Sequence, residues 1–347
     1  MKKGISFERI VVAFIILLLF IILIKSIDPG YNDCFTNKFN HEKHWADLEE
    51  NSKKSLPINI TIFIDPSSRI SNTNEFGDYY IIERDTMIIR TFITDFLIRT
   101  RGTDMNTLKT NGNHFQIITH PDNYVNSKLF ENFSRSISTY SVSPNSLTIW
   151  NRIMAKSMSI EPEEYTLDSI ASNLLSHPTN NLSKLYNELL IKGRDASGNY
   201  KGSDIYSFLQ GSEIDNKNVI RNDSRNILVL LTDGWLDYIP TRTSSKSNFV
   251  THISTDNELS GLKNKYGDSL NIKVSNTFIN KNLEIYVFGL SKVGKVDENP
   301  LLKQIWDKWL NGIVGEDKFK VFNYQGGQGY SNDIFNILNP LTEKNSK

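Results

Sequence analysis

The sequence predicts an α/β protein whose core is a doubly wound, mainly parallel β-sheet. Continuous apolar runs of strand length, such as residues 227–231 and 283–288, are typical of parallel strands that are buried on both faces. Segments in which apolar residues recur at helical spacing alternate with these runs along the chain. Strands that alternate with helices favour a parallel sheet covered by helices on both sides.

The elements follow one another from residue 57 onward. Isoleucines alternate with other residues at 58–64, which predicts a first strand that ends at Asp65. Apolar pairs from Ile81 to Leu97 predict the first helix, with Asp78 as its N-cap and Gly102 as its stop. The other predicted elements are strands at 115–119, 147–150, 227–231, 283–288 and 319–322 and helices at 163–175, 182–191, 301–310 and 332–338.

Composition narrows the class of protein. The chain has 39 basic and 39 acidic side chains, so it lacks the positive charge with which proteins usually bind nucleic acid, and no nucleic-acid partner is expected. The single cysteine, Cys34, cannot form an internal disulfide. Asn59 belongs to a glycosylation sequon but falls in a predicted buried strand, and with the lack of disulfides this favours a bacterial envelope protein.

The N-terminus predicts a membrane anchor. Every residue from 10 to 24 is apolar, and Lys2, Lys3 and Arg9 precede this run. No small-residue cleavage site follows it, which favours a retained transmembrane helix over a cleaved signal peptide. Because the positive charge lies on the N-terminal side, we expect a single-pass protein of the cytoplasmic membrane whose main domain lies outside the cytoplasm, in the periplasm or at the cell surface.

Four segments follow from these patterns. Residues 1–27 form a cytoplasmic stub and the transmembrane anchor, and residues 28–56 form a polar tether. Residues 57–341 form the α/β domain, and residues 342–347 are a tail. Two stretches within the domain, at about 121–201 and 235–281, are long for plain connections and are expected to be insertions that provide specificity.

Candidate site residues lie where predicted strands end, because parallel sheets bind ligands beyond the carboxyl ends of their strands. The first strand ends in Asp65-Pro66-Ser67-Ser68-Arg69, and the run at 227–231 ends in Thr232-Asp233-Gly234. Between them, Gly202-Ser203-Asp204 precedes a helical pattern. Carboxylates and hydroxyls without cysteine or histidine form a site of oxygen ligands, which suits Mg²⁺, with Mn²⁺ as a substitute.

These motifs resemble those of the von Willebrand factor A (VWA) family. The resemblance covers roughly residues 57–340 and consists of a strand ending D-x-S, a helix start G-[ST]-D-I-x-x-x-L and a strand ending T-D-G. It implies a Rossmann-like sheet with a metal-ion-dependent adhesion site, where the metal accepts a carboxylate from a partner protein. The resemblance implies that Asp65, Ser67, Ser203 and Asp233 are the metal ligands, with Ser203 at a position where threonine is usual.

Arg69 departs from the family, because a serine is usual at its position. A guanidinium next to a divalent cation is electrostatically unfavourable. Three arrangements are open: Arg69 points away while Ser68 or Ser71 substitutes, Arg69 pairs with Asp233 in place of the metal, or the site binds nothing. We expect the first, with Arg69 in solvent, because Ser68 and Ser71 supply hydroxyls near the turn.

The expected function is therefore protein binding by a membrane-anchored VWA-like domain, and not catalysis. One alternative is a Mg²⁺-dependent phosphoryl-transfer enzyme on the same sheet, with Asp65 as nucleophile or metal ligand. It lacks an aspartate two residues after Asp65, where Ser67 stands, and a recognisable phosphate motif. A second alternative is a VWA-like scaffold that binds no metal.

Overall fold

The computed structural model describes residues 56–71, 80–99, 113–121, 131, 134, 182–194, 197–198, 202–238, 248–291, 299–323 and 330–338. All of them belong to one compact unit, Leu56–Lys347. The N-terminal anchor and tether and the elements predicted at 147–150 and 163–175 lie outside these residues. Among the helices that the structure describes, none is long and apolar enough to cross a membrane.

The described residues contain seven strands and seven α-helices. The strands are β1 (Ile58–Ile64), β2 (His114–Ile118), β3 (Arg225–Leu231), β4 (Phe249–Val250), β5 (Asn271–Ile272), β6 (Leu283–Leu290) and β7 (Phe319–Asn323). The helices are α1 (Tyr80–Arg99), α2 (Leu182–Lys192), α3 (Ile205–Gln210), α4 (Glu213–Asn216), α5 (Asp256–Tyr266), α6 (Pro300–Val314) and α7 (Ser331–Leu338). Short 3₁₀ turns occupy Ser68–Ser71 and Gly267–Ser269.

Five strands form the main sheet, in the spatial order β2-β1-β3-β6-β7. Every neighbouring pair in this sheet is parallel. The order confirms the predicted mainly parallel α/β class, and the residues of the central strands explain it. All seven residues of β1 are buried, as are six of the seven in β3, because helices cover both faces of the sheet.

Each face of the sheet packs its own apolar core. On one face, Ile62 and Val229 pack with residues of α1, α2 and α7. On the other, Phe63 and Leu230 pack with residues of α3 to α6. Because successive side chains of a strand point to opposite faces, each central strand contributes to both cores. This arrangement confirms that the sheet is wound on both sides.

The stretch at 235–281, which the sequence predicts only as an insertion, contains regular structure. Within residues 248–281, α5 begins at the N-cap Thr255, whose side chain accepts a hydrogen bond from the backbone N–H of Glu258. Strands β4 and β5 pair in parallel as a separate two-stranded sheet. Val250, Leu259 and Ile272 are buried in the second core. The segment therefore packs onto the domain as part of its core.

The strand order changes direction at β1, because β2 lies on one side of it and β3 on the other. The chain goes from β1 to β2 in one direction and continues through β3, β6 and β7 in the other. Such a switch point leaves a crevice beyond the carboxyl ends of the two central strands, where ligands bind in this class of sheet. Asp65 and Thr232 directly follow the last paired residues of β1 and β3.

Candidate functional site

Asp65 is the centre of the candidate site at this carboxyl edge. Its side chain is 1% exposed, and both of its carboxylate oxygens accept hydrogen bonds. Oδ1 accepts from the backbone N–H of Ser67 at 3.0 Å, and Oδ2 accepts from the Ser67 hydroxyl at 3.2 Å. The Thr232 hydroxyl donates to the same Oδ2 at 2.7 Å, so this bond joins the ends of β1 and β3.

The Thr232-Asp233-Gly234 turn is fixed by its backbone contacts. The N–H of Ser291, just past β6, donates to the Asp233 carbonyl at 3.2 Å. The Trp306 indole N–H on α6 donates to the Gly234 carbonyl at 2.8 Å. The backbone N–H of Trp235 donates to Asp233 Oδ1 at 3.3 Å. Contacts from two other elements therefore hold Asp233 beside Asp65. Asp233 itself is half-buried.

Ser203 reaches the same edge from the start of α3. Its hydroxyl donates to the His120 carbonyl at 3.1 Å, and the Asp204 N–H donates to that carbonyl at 3.2 Å. His120 lies just past the end of β2, so Ser203 is held on the β2 side of β1. The N-cap of α3 is Asp204, whose side chain accepts from the Ser207 N–H at 3.0 Å. Ser203 is therefore not the helix cap.

Gly202 allows this approach. Its φ is +75°, which disfavours residues with a side chain, and a Cβ at this position would lie 2.7 Å from Asp237 Oδ1. The turn before Ser203 thus packs directly against the segment that follows Asp233. This close contact places a third carboxylate, Asp237, next to the predicted site.

Arg69 does not point to solvent, so the expected arrangement is wrong. The residue is 3% exposed and its guanidinium turns inward beneath the edge. Nε donates to the Asp65 carbonyl at 3.1 Å, and Nη2 donates to the Leu231 carbonyl at 2.6 Å and to Asp85 Oδ2 at 2.8 Å. Arg69 therefore bonds to the backbone at the ends of both central strands and pairs with a helix carboxylate.

The two substitute hydroxyls expected near Arg69 are used differently. The Ser68 side chain is exposed, whereas Asp65 is buried. The Ser71 hydroxyl donates to the Ser68 carbonyl at 2.7 Å, within their own 3₁₀ turn. Neither serine stands in for the missing second serine of the motif, because a buried arginine occupies the space beneath Asp65.

Asp85 on α1 is the inner partner of Arg69 and belongs to a buried cluster. Arg84 donates to Asp85 Oδ1 through Nε at 3.1 Å and through Nη2 at 2.7 Å. The Tyr186 hydroxyl on α2 donates to Asp85 Oδ2 at 2.9 Å. The Arg84 guanidinium fills the space that a side chain at Gly289 would need, since a Cβ there would collide with Nη1.

The surroundings of these groups set their protonation. Burial by itself would raise the pKa of Asp85, but Arg69 and Arg84 outweigh it and hold that pKa below its usual value. Burial would lower the pKa of Arg69, but Asp85 and Asp65 outweigh it and raise that pKa. Asp85 and Arg69 are therefore both charged at neutral pH.

The carboxyl groups of Asp65 and Asp233, by contrast, have raised pKa values. Burial raises the pKa of Asp65, and Arg69 offsets this only in part. Burial, together with the negative charges of Asp65 and Asp237, raises the pKa of Asp233 to about 8. Asp233 therefore keeps its proton at neutral pH and adds little negative charge to the edge, while the two arginines neutralise the buried carboxylates beneath it.

The structure thus brings most of the predicted residues to one edge. Asp65 and Ser67 are hydrogen-bonded, and the negative charge of Asp65 contributes to the raised pKa of Asp233. Ser203 lies at the neighbouring strand end. Four residues at or beneath the edge carry no motif that predicts them from the sequence: Arg84, Asp85, Tyr186 and Asp237. A signal for Asp85 was present, because this charged residue falls within the apolar stripe of α1, between Ile81 and Ile88.

The hydrogen bonds of these residues show which of them could bind a divalent cation. The Ser67 and Ser203 hydroxyls donate their protons elsewhere, which leaves oxygen lone pairs for a metal. Arg69 does not fit, because its Nε lies 3.9 Å from Asp65 Oδ2, so an ion bound to this carboxylate would lie near a buried positive charge. Within the described residues, no three His, Cys, Asp or Glu side chains form a group that could hold a metal. Arg69 therefore makes the site a poor match for the cation that the resemblance implies.

Comparison with known proteins adds no relative. No family model matches the chain. Neither a curated protein nor a solved structure matches it. The likeness to the VWA family therefore depends on the three motifs and on where the fold places them.

Proposed function

We propose that residues 57–341 form a VWA-like domain that binds a protein partner at the carboxyl edge of its sheet. The observation that supports this most directly is the hydrogen bond from Thr232 to Asp65, 2.7 Å long, across the β1–β3 switch point. It joins the D-x-S and T-D-G motifs at the place where sheets of this strand order bind ligands. Ser203, from the third motif, lies at the end of the adjacent strand.

The proposal includes the location of the domain. The apolar run at 10–24 anchors the chain in the cytoplasmic membrane, and the domain lies outside the cytoplasm at the end of the polar tether. The lipid bilayer is then a second partner, bound only through the anchor. A domain held in this way meets protein partners at the membrane surface.

The group that the partner presents depends on the charge of the edge. A divalent cation held by Asp65, Ser67, Ser203 and Asp233 would accept a carboxylate from the partner. An edge without a cation would present the Asp233 carboxyl group, which is mainly protonated at neutral pH and so both donates and accepts hydrogen bonds. The contacts of Arg69 favour the second form.

The phosphoryl-transfer alternative has less support. A nucleophilic Asp65 would need a free oxygen directed at the substrate, but its side chain is 1% exposed and both oxygens accept hydrogen bonds. An assay of the purified chain with a generic phosphate ester, with and without Mg²⁺, tests this alternative directly. We expect no hydrolysis under either condition.

Site-specific photo-crosslinking tests the proposed function. A photoreactive residue replaces Tyr238, beside the edge, and in a second protein it replaces the exposed Asn222, just before β3 at the opposite end of the sheet. We expect a discrete crosslinked protein from position 238 in intact cells and none from position 222. Asp233→Ala should abolish the crosslink while the circular dichroism spectrum is retained.

Two outcomes would contradict the proposal. Equal crosslinking from positions 238 and 222 would show that the carboxyl edge has no special role. An unchanged crosslink in the folded Asp233→Ala variant would show that the partner is bound elsewhere on the domain.

A further inference from the structure

We propose that Arg69 takes the place of the divalent cation at the carboxyl edge, so the edge is assembled without a metal and binds none. This inference rests on the proposed function only in treating the edge as the binding site. Its basis is the position of the Arg69 guanidinium beneath Asp65 and its contacts with Asp85 and the strand ends.

The buried charged side chains beneath the edge balance one another without a metal ion. Asp65 and Asp85 are two buried carboxylates, and Arg69 and Arg84 are two buried guanidiniums, with all four residues at most 3% exposed. Buried charges need partners of opposite sign, and this layer already supplies them. A cation bound to Asp65 would add positive charge to a layer that is neutral without it.

An ion bound to Asp65 would also lie close to the guanidinium of Arg69. Mg²⁺ binds oxygen ligands at about 2.1 Å. Arg69 Nε lies 3.9 Å from Asp65 Oδ2, so an ion on that oxygen would lie within about 6 Å of the guanidinium nitrogen. Like charges this close repel strongly where water is excluded. The buried guanidinium of Arg69 therefore disfavours an ion on this carboxylate.

Arg69 is also fixed in place by its hydrogen bonds. Its side chain donates to three acceptors, which are the carbonyls of Asp65 and Leu231 and the carboxylate of Asp85. If the guanidinium swung out to admit an ion, two buried carbonyls would lose this donor and Asp85 would lose one of its two cationic partners. The fold therefore favours the arginine over the ion.

The remaining ligands of a metal site are intact. The Ser67 hydroxyl donates to Asp65 and the Ser203 hydroxyl donates to the His120 carbonyl, so both oxygens retain lone pairs for a cation. Arg69 is the group that excludes the ion. Its removal together with its charge partner Asp85 should therefore create a metal site from the residues that remain.

The experiment compares the full-length chain, solubilised in detergent, with the double variant Arg69→Ser/Asp85→Asn. The double variant removes one charge of each sign, so it leaves no added net charge in the interior. Calorimetric titration with MgCl₂ and MnCl₂ should give no saturable heat for the wild type, and its melting temperature should be the same in EDTA and in Mg²⁺. The double variant should give saturable heat with Mn²⁺, and its melting temperature should rise with metal concentration.

Two control variants locate the effect. Ser203→Ala in the double variant should remove the gained heat, because it deletes a metal ligand. Asp233→Asn in the wild type should leave its lack of metal response unchanged. Saturable Mg²⁺ heat in the wild type that disappears in Asp233→Asn would overturn the inference, and this result needs no folded double variant.

A folded double variant that gains no metal binding would also overturn the inference, since Arg69 would then not be what excludes the ion. None of these measurements uses a partner protein. A failure here is therefore distinct from a failure of the crosslinking experiment, which tests where the partner binds.

Discussion

Thr232 shows how one hydroxyl can join two parts of the site. It is fully buried, and its Oγ1 donates to Asp65 Oδ2 at 2.7 Å while it accepts from the Gly234 N–H at 3.0 Å. The same atom therefore orients the carboxylate at the end of β1 and shapes the turn that presents Asp233. A threonine or serine is required for both bonds, because each depends on the hydroxyl.

We predict that Thr232→Val destabilises the domain, since valine keeps the shape of threonine but leaves Asp65 Oδ2 without its shortest hydrogen bond. Hydrogen bonds to charged groups typically contribute about 1.5–3 kcal/mol, and we expect a loss of that size in the free energy of unfolding. Urea unfolding at neutral pH measures it. Thr232→Ser, which retains the hydroxyl, is the matched control and should lose clearly less; equal losses would contradict the assigned role of Oγ1.

At the residue scale, the sequence predicts which side chains gather but not how Arg69 is used. Asp65, Ser67 and Asp233 follow strand ends, so their proximity follows from parallel strand geometry. Two of the three partners of Arg69 are distant in sequence: Asp85, on the following helix, and the Leu231 carbonyl, at the end of another strand. Such contacts depend on tertiary packing, which the local pattern around Arg69 does not specify.

At the scale of elements, helix α2 is joined to α1 by a polar contact within an apolar interface. Tyr186 is fully buried with Leu185 and Leu189, and its hydroxyl donates to Asp85 Oδ2. Burial and the negative charge of Asp85 raise the pKa of Tyr186 well above its usual value, so the hydroxyl keeps its proton. Through Asp85 and Arg69, α2 is connected to the strand ends.

We predict that Tyr186→Phe lowers the free energy of unfolding by about 1.5–3 kcal/mol, because it removes a donor from a buried, charged acceptor. Lys192→Ala on the same helix is the matched control. Lys192 pairs with Glu188 at 3.2 Å, and its side chain is 47% exposed, so its loss should change stability by less than about 1 kcal/mol. If Tyr186→Phe were no more costly than Lys192→Ala, the hydroxyl would contribute little to the docking of α2.

The elements also show what periodicity can predict. Strands β1, β3 and β6 and helices α1, α2, α6 and α7 were predicted within a few residues, because their apolar patterns are long or continuous. Helix α4, which has only four residues, helix α5 and strands β4 and β5 were missed. Each of these strands has two residues, and α5 has one fully buried apolar residue, Leu259, so neither gives a strong pattern.

Across the whole domain, the two ends of the sheet differ in chemistry. The carboxyl edge has buried carboxylates and guanidiniums, whereas the amino end has a network of neutral amides together with the ion pair of Arg225 and Glu284, whose atoms lie 2.6 Å apart. The side chain of Asn59 on β1 donates to Asn226 Oδ1 on β3 at 2.9 Å and to the Val219 carbonyl at 2.8 Å. Neutral amides satisfy one another without the cost of burying charge, so this end serves stability.

One residue at each end of the sheet changes the stability of the domain with pH, and the two effects have opposite signs. Because the pKa of Asp233 is raised to about 8, the folded state binds more protons there than the unfolded state, and this contribution to stability falls as pH rises from about 4 to 8. His114, at the amino end, has the reverse effect. Burial and the nearby Arg221 lower its pKa to about 4, so its contribution falls as pH decreases.

We predict that the titration of His114 lowers the stability of the domain as the pH falls from 6.5 to 4. The Nδ1 atom of His114 lies 3.0 Å from Asn59 Oδ1, which accepts its hydrogen bond. The unfolded chain binds a proton at this histidine near pH 6.5, whereas the folded chain does so only near pH 4. The difference corresponds to a loss of at most about 3 kcal/mol. The control is His114→Gln, which retains an amide donor but does not titrate. Urea unfolding of both proteins across this range isolates the effect, because Asp233 contributes equally to each. Wild type should lose stability more steeply than His114→Gln as the pH falls, and parallel curves would show that His114 is protonated as readily in the folded chain as in the unfolded one.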